Sequence, residues 1–128
     1  MRSLSNLIIF QFVLLYACET INTPESSKAM LSIDLETDFQ DDLIEIKLDG
    51  EMLLKESVTT NYSISAAWVS GQLTKETGNH VIICNIINLN KKGQYLFDLR
   101  DTLTIRINYD RKTDKINFSE FPGLIVRD

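Results

Sequence analysis

From Leu103 to Tyr109 every second residue is apolar: Leu103, Ile105, Ile107 and Tyr109 alternate with Thr104, Arg106 and Asn108. A repeat of two puts the apolar side chains on one face of an extended strand and the polar ones on the other. The same repeat recurs at Leu31, Ile33 and Leu35, and at Ile44, Ile46 and Leu48. Beyond the first eighteen residues no stretch of helix length carries apolar residues at i, i+3, i+4 and i+7, which argues against alternating strand and helix units. Strands with one apolar face must pair side by side and then pack face to face.

The turns between these strands are written in the residues. Asp49-Gly50 separates Ile44–Leu48 from the apolar Met52–Leu54, and such a pair suits a two-residue hairpin whose central positions need positive φ. Ala66 to Leu73, with Trp68 and Val69, reads as a strand bent near Gly71. Thr77-Gly78-Asn79 reads as a turn, and Val81 to Ile87 as a central strand apolar enough for burial on both faces. A turn from Asn88 to Gly93 leads into Tyr95–Leu99. The polar loop Asp110 to Lys115 returns the chain to Ile116 and Phe118, Phe121-Pro122-Gly123 ends that strand, and Leu124 to Val126 is expected to add a short last edge strand. About seven to eight short strands predict an all-β fold, an antiparallel β-sandwich, with a small β-barrel as the alternative. In this pattern the chain resembles the small immunoglobulin-like or carbohydrate-binding-like sandwiches of exported bacterial proteins.

The N-terminus carries a different signal. Arg2 precedes an apolar run, Leu7 to Cys18, broken only by Gln11 and followed at once by Glu19 and Thr20. The run is shorter than the roughly 20 residues a membrane span needs, and its basic start and polar exit are those of a secretory signal peptide. Leu15, Tyr16, Ala17 and Cys18 resemble the lipobox of bacterial lipoproteins. That resemblance implies diacylglycerol on the Cys18 thiol and cleavage between Ala17 and Cys18. The expected division is a signal peptide over 1–17, a lipidated cysteine and polar tether over 18–27, and the sandwich over 28–128. Cys84, within an apolar strand, is then a free buried thiol; the competing reading pairs Cys18 with Cys84 in a disulfide.

A chain of 128 residues, 44% hydrophobic and 24% charged, has room for one domain. Its net charge of −5 becomes −6 once Arg2 leaves with the signal peptide, which argues against a nucleic-acid binder, whose phosphate contacts need clustered Lys and Arg. Catalytic devices are equally hard to assemble. The one histidine, His80, lies four residues from Cys84 on one strand, about 13 Å away at roughly 3.3 Å per residue, and reads as a polar residue at a strand end. Zinc would need a second histidine or a CxxC, and neither a phosphate-cradling glycine loop nor a GxSxG elbow occurs.

Carboxylates are the abundant functional group. Asp38, Asp41 and Asp42 share one inter-strand loop, Asp98 and Asp101 bracket a second, and Asp110 and Asp114 lie in a third. Asp38, Asp41, Asp42, Asp110 and Asp114 are candidate calcium ligands, since that ion takes six to eight oxygens, although aspartate is also an ordinary turn residue. Tyr62 and Trp68 are the candidate stacking platforms for a sugar ring, with Tyr62 in the polar stretch TTNYS the more exposed of the two. No cofactor is required by any motif, and no residue decides the oligomeric state.

The sequence therefore predicts an exported, lipid-anchored module of the bacterial cell envelope that binds a protein or glycan, or plays a structural part, and is not an enzyme. Its alternatives are a soluble secreted or periplasmic glycan-binding protein, an acidic inhibitor of a cationic enzyme, and a hydrolase using Asp38, Asp41 and Asp42.

Overall fold

The computed structural model describes residues 27–127. The expected signal peptide, its junction at Ala17 and Cys18, and residues 18–26 of the tether lie outside the described residues. Nine strands follow in order: β1 (Lys28–Leu35), β2 (Asp42–Leu48), β3 (Glu51–Val58), β4 (Trp68–Val69), β5 (Leu73–Glu76), β6 (Gly78–Ile86), β7 (Lys91–Leu99), β8 (Leu103–Asp110) and β9 (Lys115–Pro122). The first sheet runs β4-β1-β8-β9, with β5 also pairing the β4 side of β1; the second runs β3-β2-β6-β7. Two separate sheets make a sandwich and not a closed barrel.

The hairpins form where the turn residues ask for them. Asp49 and Gly50 hold φ of 50° and 84° between β2 and β3. A 3₁₀ turn, Ile87–Leu89, closed by Asn90 in the left-handed region, joins β6 to β7. All ladders but one are antiparallel; β1 and β8 run parallel from Leu31↔Leu103 to Leu35↔Ile107. A parallel pair needs a long connection, and everything between these two strands supplies it.

Alternation fills the core as expected. Leu31, Ile33 and Leu35 of β1 and Ile105 and Ile107 of β8 face Ile44 and Ile46 of β2 and Ile82, Cys84 and Ile86 of β6, all with no solvent exposure. Each such side chain contributes on the order of 1.5–3 kcal/mol of transfer free energy. Among the described residues Cys84 is a free thiol, and burial pushes its pKa up to about 12, so it is inert at neutral pH. Gly93 lets the two sheets close at one side: a Cβ there would stand 2.8 Å from the Phe118 ring.

Four expectations are corrected. β6 is central in its sheet but fully buried on one face only, because Val81, Ile83 and Asn85 look outward and stay half-exposed. The Thr77-Gly78-Asn79 turn shrinks to Thr77, where the chain leaves β5 in the first sheet and enters β6 in the second. The expected strand over Ala66–Leu73 is two pieces, β4 and β5, separated around Gly71 at φ 74°. The segment Leu124–Val126 is no strand; the chain after β9 crosses the outer face of the first sheet as a strap.

The strap explains why β1 is buried on both faces. Ser32, Asp34 and Glu36 point outward yet are only 6%, 1% and 5% exposed. Gly123 takes a hydrogen bond from Thr104 Oγ1 at 2.7 Å at the strap's start, and Arg127 Nη2 reaches Asp34 at 2.8 Å and Glu36 at 2.5 Å at its end. Arg106 holds the other Glu36 oxygen at 2.9 Å. Two carboxylates can be buried here because two guanidiniums accompany them.

Candidate functional site

Because β1 runs from Lys28 to Leu35, the loops after β1, β3, β6 and β8 gather at the end of the sandwich opposite Ser27. Buried Thr60 joins two of them: its hydroxyl donates to Glu36 O at 2.7 Å and accepts from Phe39 N–H at 3.0 Å. Phe39, 1% exposed, plugs the core beneath. The β1–β2 and β3–β4 loops are thereby fixed to each other from below, and Asp41 N–H on Thr59 Oγ1 adds a second link.

Four of the five aspartates singled out by sequence take part in this end, each in a different way. Arg111 lies at the centre: its Nη2 donates to Asp42 Oδ2 at 2.6 Å, its Nε donates to the Asp38 carbonyl at 2.9 Å, and its guanidinium stands 5.3 Å over the Tyr109 ring. The second Asp42 oxygen accepts from Asn88 at 3.0 Å. Tyr62 OH donates to the Asp38 carboxylate, and that bond raises the tyrosine pKa. Asp114 accepts from Tyr109 OH and pairs with Lys91 at 2.5 Å, and Lys91 together with Tyr109 holds the Asp114 carboxyl below its usual range. Asp110 is spent on its own loop, accepting from Lys112 N–H at 2.9 Å. Asp41 stands apart, exposed, with its N–H on Thr59 Oγ1 at 2.8 Å. Among the described residues no three His, Cys, Asp or Glu side chains converge as a metal would require. Asp38, Asp42 and Asp114 are shared out among cations, hydroxyls and an amide, and Asp98, paired with Arg100 at 2.7 Å, belongs to the opposite end.

The two aromatic candidates separate. Tyr62 is 61% exposed at the loop end. Trp68, on the edge strand β4, packs partly buried against the core. His80 is likewise far from the loops, with Nδ1 2.6 Å from Asp49 and Nε2 2.6 Å from the Glu76 carbonyl.

Beside the loop cluster lies a bowl of about 290 Å³ on the outer face of the second sheet. Its floor lies on one cross-strand row, in which β2 Glu45 pairs β6 Asn85 and Asn85 pairs β7 Lys92; β3 Lys55, opposite Glu45, continues the row outside the bowl. Ile87, Asn90 and Lys91 form the rim, and Lys91 connects the bowl to Asp114. This row exists only once the registers of four strands are set, so spacing along the chain does not reveal it. The Lys91-Lys92 pair in an acidic chain was the one visible sign. Compared with known proteins, the chain matches no family model and no curated protein.

Proposed function

We propose that this chain is an exported, lipid-anchored module of the bacterial cell envelope that binds a ligand at its loop end without catalysis. The observation that carries the reading is the direction of β1: the domain is entered at Ser27–Lys28, and the Asp38–Tyr62–Arg111 cluster and the bowl lie at the other end. If Cys18 bears the lipid, residues 19–27 span at most about 30 Å, and eight residues of β1 add roughly 25 Å between membrane and binding end. A binding role is supported by chemistry already committed: both nitrogens of His80 are engaged, and Asp42 and Asp114 are each held by a cation and a neutral donor. Groups so satisfied position a surface better than they transfer protons.

The full chain, purified from membranes and returned to vesicles containing a lipid-borne quencher, tests this. Cys84 is too buried to label, so Glu51→Cys and Tyr62→Cys report the two ends. The proposal expects strong quenching at position 51 and weak quenching at 62. Equal quenching, or protein that stays in the aqueous phase, contradicts it.

A further inference from the structure

We propose that the bowl formed by Glu45, Asn85, Ile87, Asn90, Lys91 and Lys92 binds a single sugar ring carrying one anionic group, a carboxylate or a phosphate. The inference rests on the binding-module reading and names a ligand for that end of the molecule.

Charge decides the sign of the ligand. Glu45 is the acid of the floor, and it is flanked by Lys47 at 3.7 Å and Lys55 at 4.0 Å. Lys91 is committed to Asp114 at 2.5 Å. Lys92 is exposed, and among the described residues no carboxylate lies within ion-pairing distance of it. The charged side chains lining the bowl are Glu45, Lys91 and Lys92, two cations to one acid in a chain whose net charge is −5. An outward lysine without an acid partner, lining a polar concavity, is a site for an anionic oxygen.

The remaining groups decide what carries that oxygen. Asn85 donates one amide N–H to Glu45 at 3.3 Å, which orients the amide within the floor it lines. Asn90 is fixed by a φ of 53° and by its N–H on the Ile87 carbonyl at 3.2 Å. Two amides and a carboxylate are donors and acceptors for hydroxyls, and Ile87, 43% exposed, offers an apolar edge to the C–H face of a ring. These groups stand on paired strands or on the tight turn between them, so little order has to be gained on binding. At about 290 Å³ the bowl is at the lower limit of ligand pockets, roughly 300 Å³, which suits one ring and not an oligomer.

The test is an amide-resolved NMR titration of the full chain in detergent at low salt, with glucuronate, glucose 6-phosphate, glucose and inorganic phosphate. Saturable shifts at Asn85, Asn90 and Lys92 are expected with glucuronate or glucose 6-phosphate, and the tighter of the two identifies the source of the anion. Glucose should bind about tenfold more weakly or worse, and Lys92→Gln should weaken the anionic sugar about fivefold, as loss of one exposed ion contact does. Lys28→Gln, at the far end, should change nothing. The proposal is overturned if inorganic phosphate matches glucose 6-phosphate, which means an adventitious ion only. It is also overturned if Lys92→Gln leaves affinity unchanged, or if no ligand shifts these amides at tens of millimolar. None of these failures touches the quenching difference between positions 51 and 62, so loss of the ligand assignment and loss of the anchored-module reading are separately visible.

Discussion

His80 has an acceptor at each ring nitrogen, Asp49 Oδ2 and Glu76 O, both at 2.6 Å. A neutral imidazole carries one proton and satisfies one of them; only the imidazolium satisfies both. Burial by itself would lower the His80 pKa, but the Asp49 carboxylate and the Glu76 carbonyl outweigh it and raise the pKa despite nearby Lys75, which is itself paired with Glu51. Burial pushes Asp49 the other way, and the bonds from His80 and Val81 N–H overcome it to lower the acid. A raised histidine contributes stability that is complete below its unfolded pKa of about 6.5 and is lost as pH rises through the folded value. A lowered aspartate contributes above about 3.8 and fails as pH falls. Stability should therefore decline from pH 6 to 8, and His80→Gln should remove that slope and cost about 1 kcal/mol at pH 6, a figure held down by the exposure of Asp49. Urea unfolding of the two proteins across this range measures it; parallel slopes would contradict the clasp. The sequence marks His80 as a strand-end residue and Asp49 as a turn residue. It does not show that the turn and the strand end meet, since that contact depends on the β2–β6 pairing.

At the scale of elements, the strap is the segment whose removal is most informative. Arg127 lies 93 residues from Asp34 and 91 from Glu36, and its Nη1 also donates to the carbonyls of Ile64 and Ser65, so it pins the loop bearing Tyr62 to β1. Its Nε is buried without a partner, a cost the two carboxylates offset. Leaving a buried charge unpaired costs about 3–5 kcal/mol, but Arg106 still serves Glu36, so Arg127→Ala should destabilise by about 2–3 kcal/mol in urea unfolding. Adding Asp34→Asn should recover part of that loss; an additive double mutant, or a single mutant within about 0.5 kcal/mol of wild type, would show that the strap carries no load. Elements held by neighbours in sequence were legible: β2 and β3 through Asp49-Gly50, β8 and β9 through alternation and the Asp110–Lys115 loop. The alternation in β1 implies a half-buried strand, because its polar residues acquire their cover only from the far end of the chain. Leu124–Val126 has the pattern of a strand, because a short apolar run looks the same whether it lies along a sheet or across it.

For the molecule as a whole, a sandwich follows from one-sided strands, and the registers then do what spacing cannot. They bring Asp38, Asp42 and Asp114 round Arg111 and Lys91, and they line up Lys55, Glu45, Asn85 and Lys92 across one face. The acidic loops were legible as acidic; Arg111 and Lys91, which neutralise Asp42 and Asp114, come from the β8–β9 loop and the start of β7, so the convergence was not. The proposed arrangement has a lipid on Cys18 at one side of this domain and a binding end at the other. Stable anchoring by acyl chains, each buried methylene worth about 0.8 kcal/mol, requires more than one chain, which the lipoprotein modification would provide. The most direct measurement is the intact mass of the full chain extracted from membranes of a bacterial host, for wild type and Cys18→Ala. The account predicts a wild-type chain beginning at Cys18 with added acyl mass and a variant without it that leaves the membrane fraction. An unacylated wild-type chain in the soluble fraction would contradict the account.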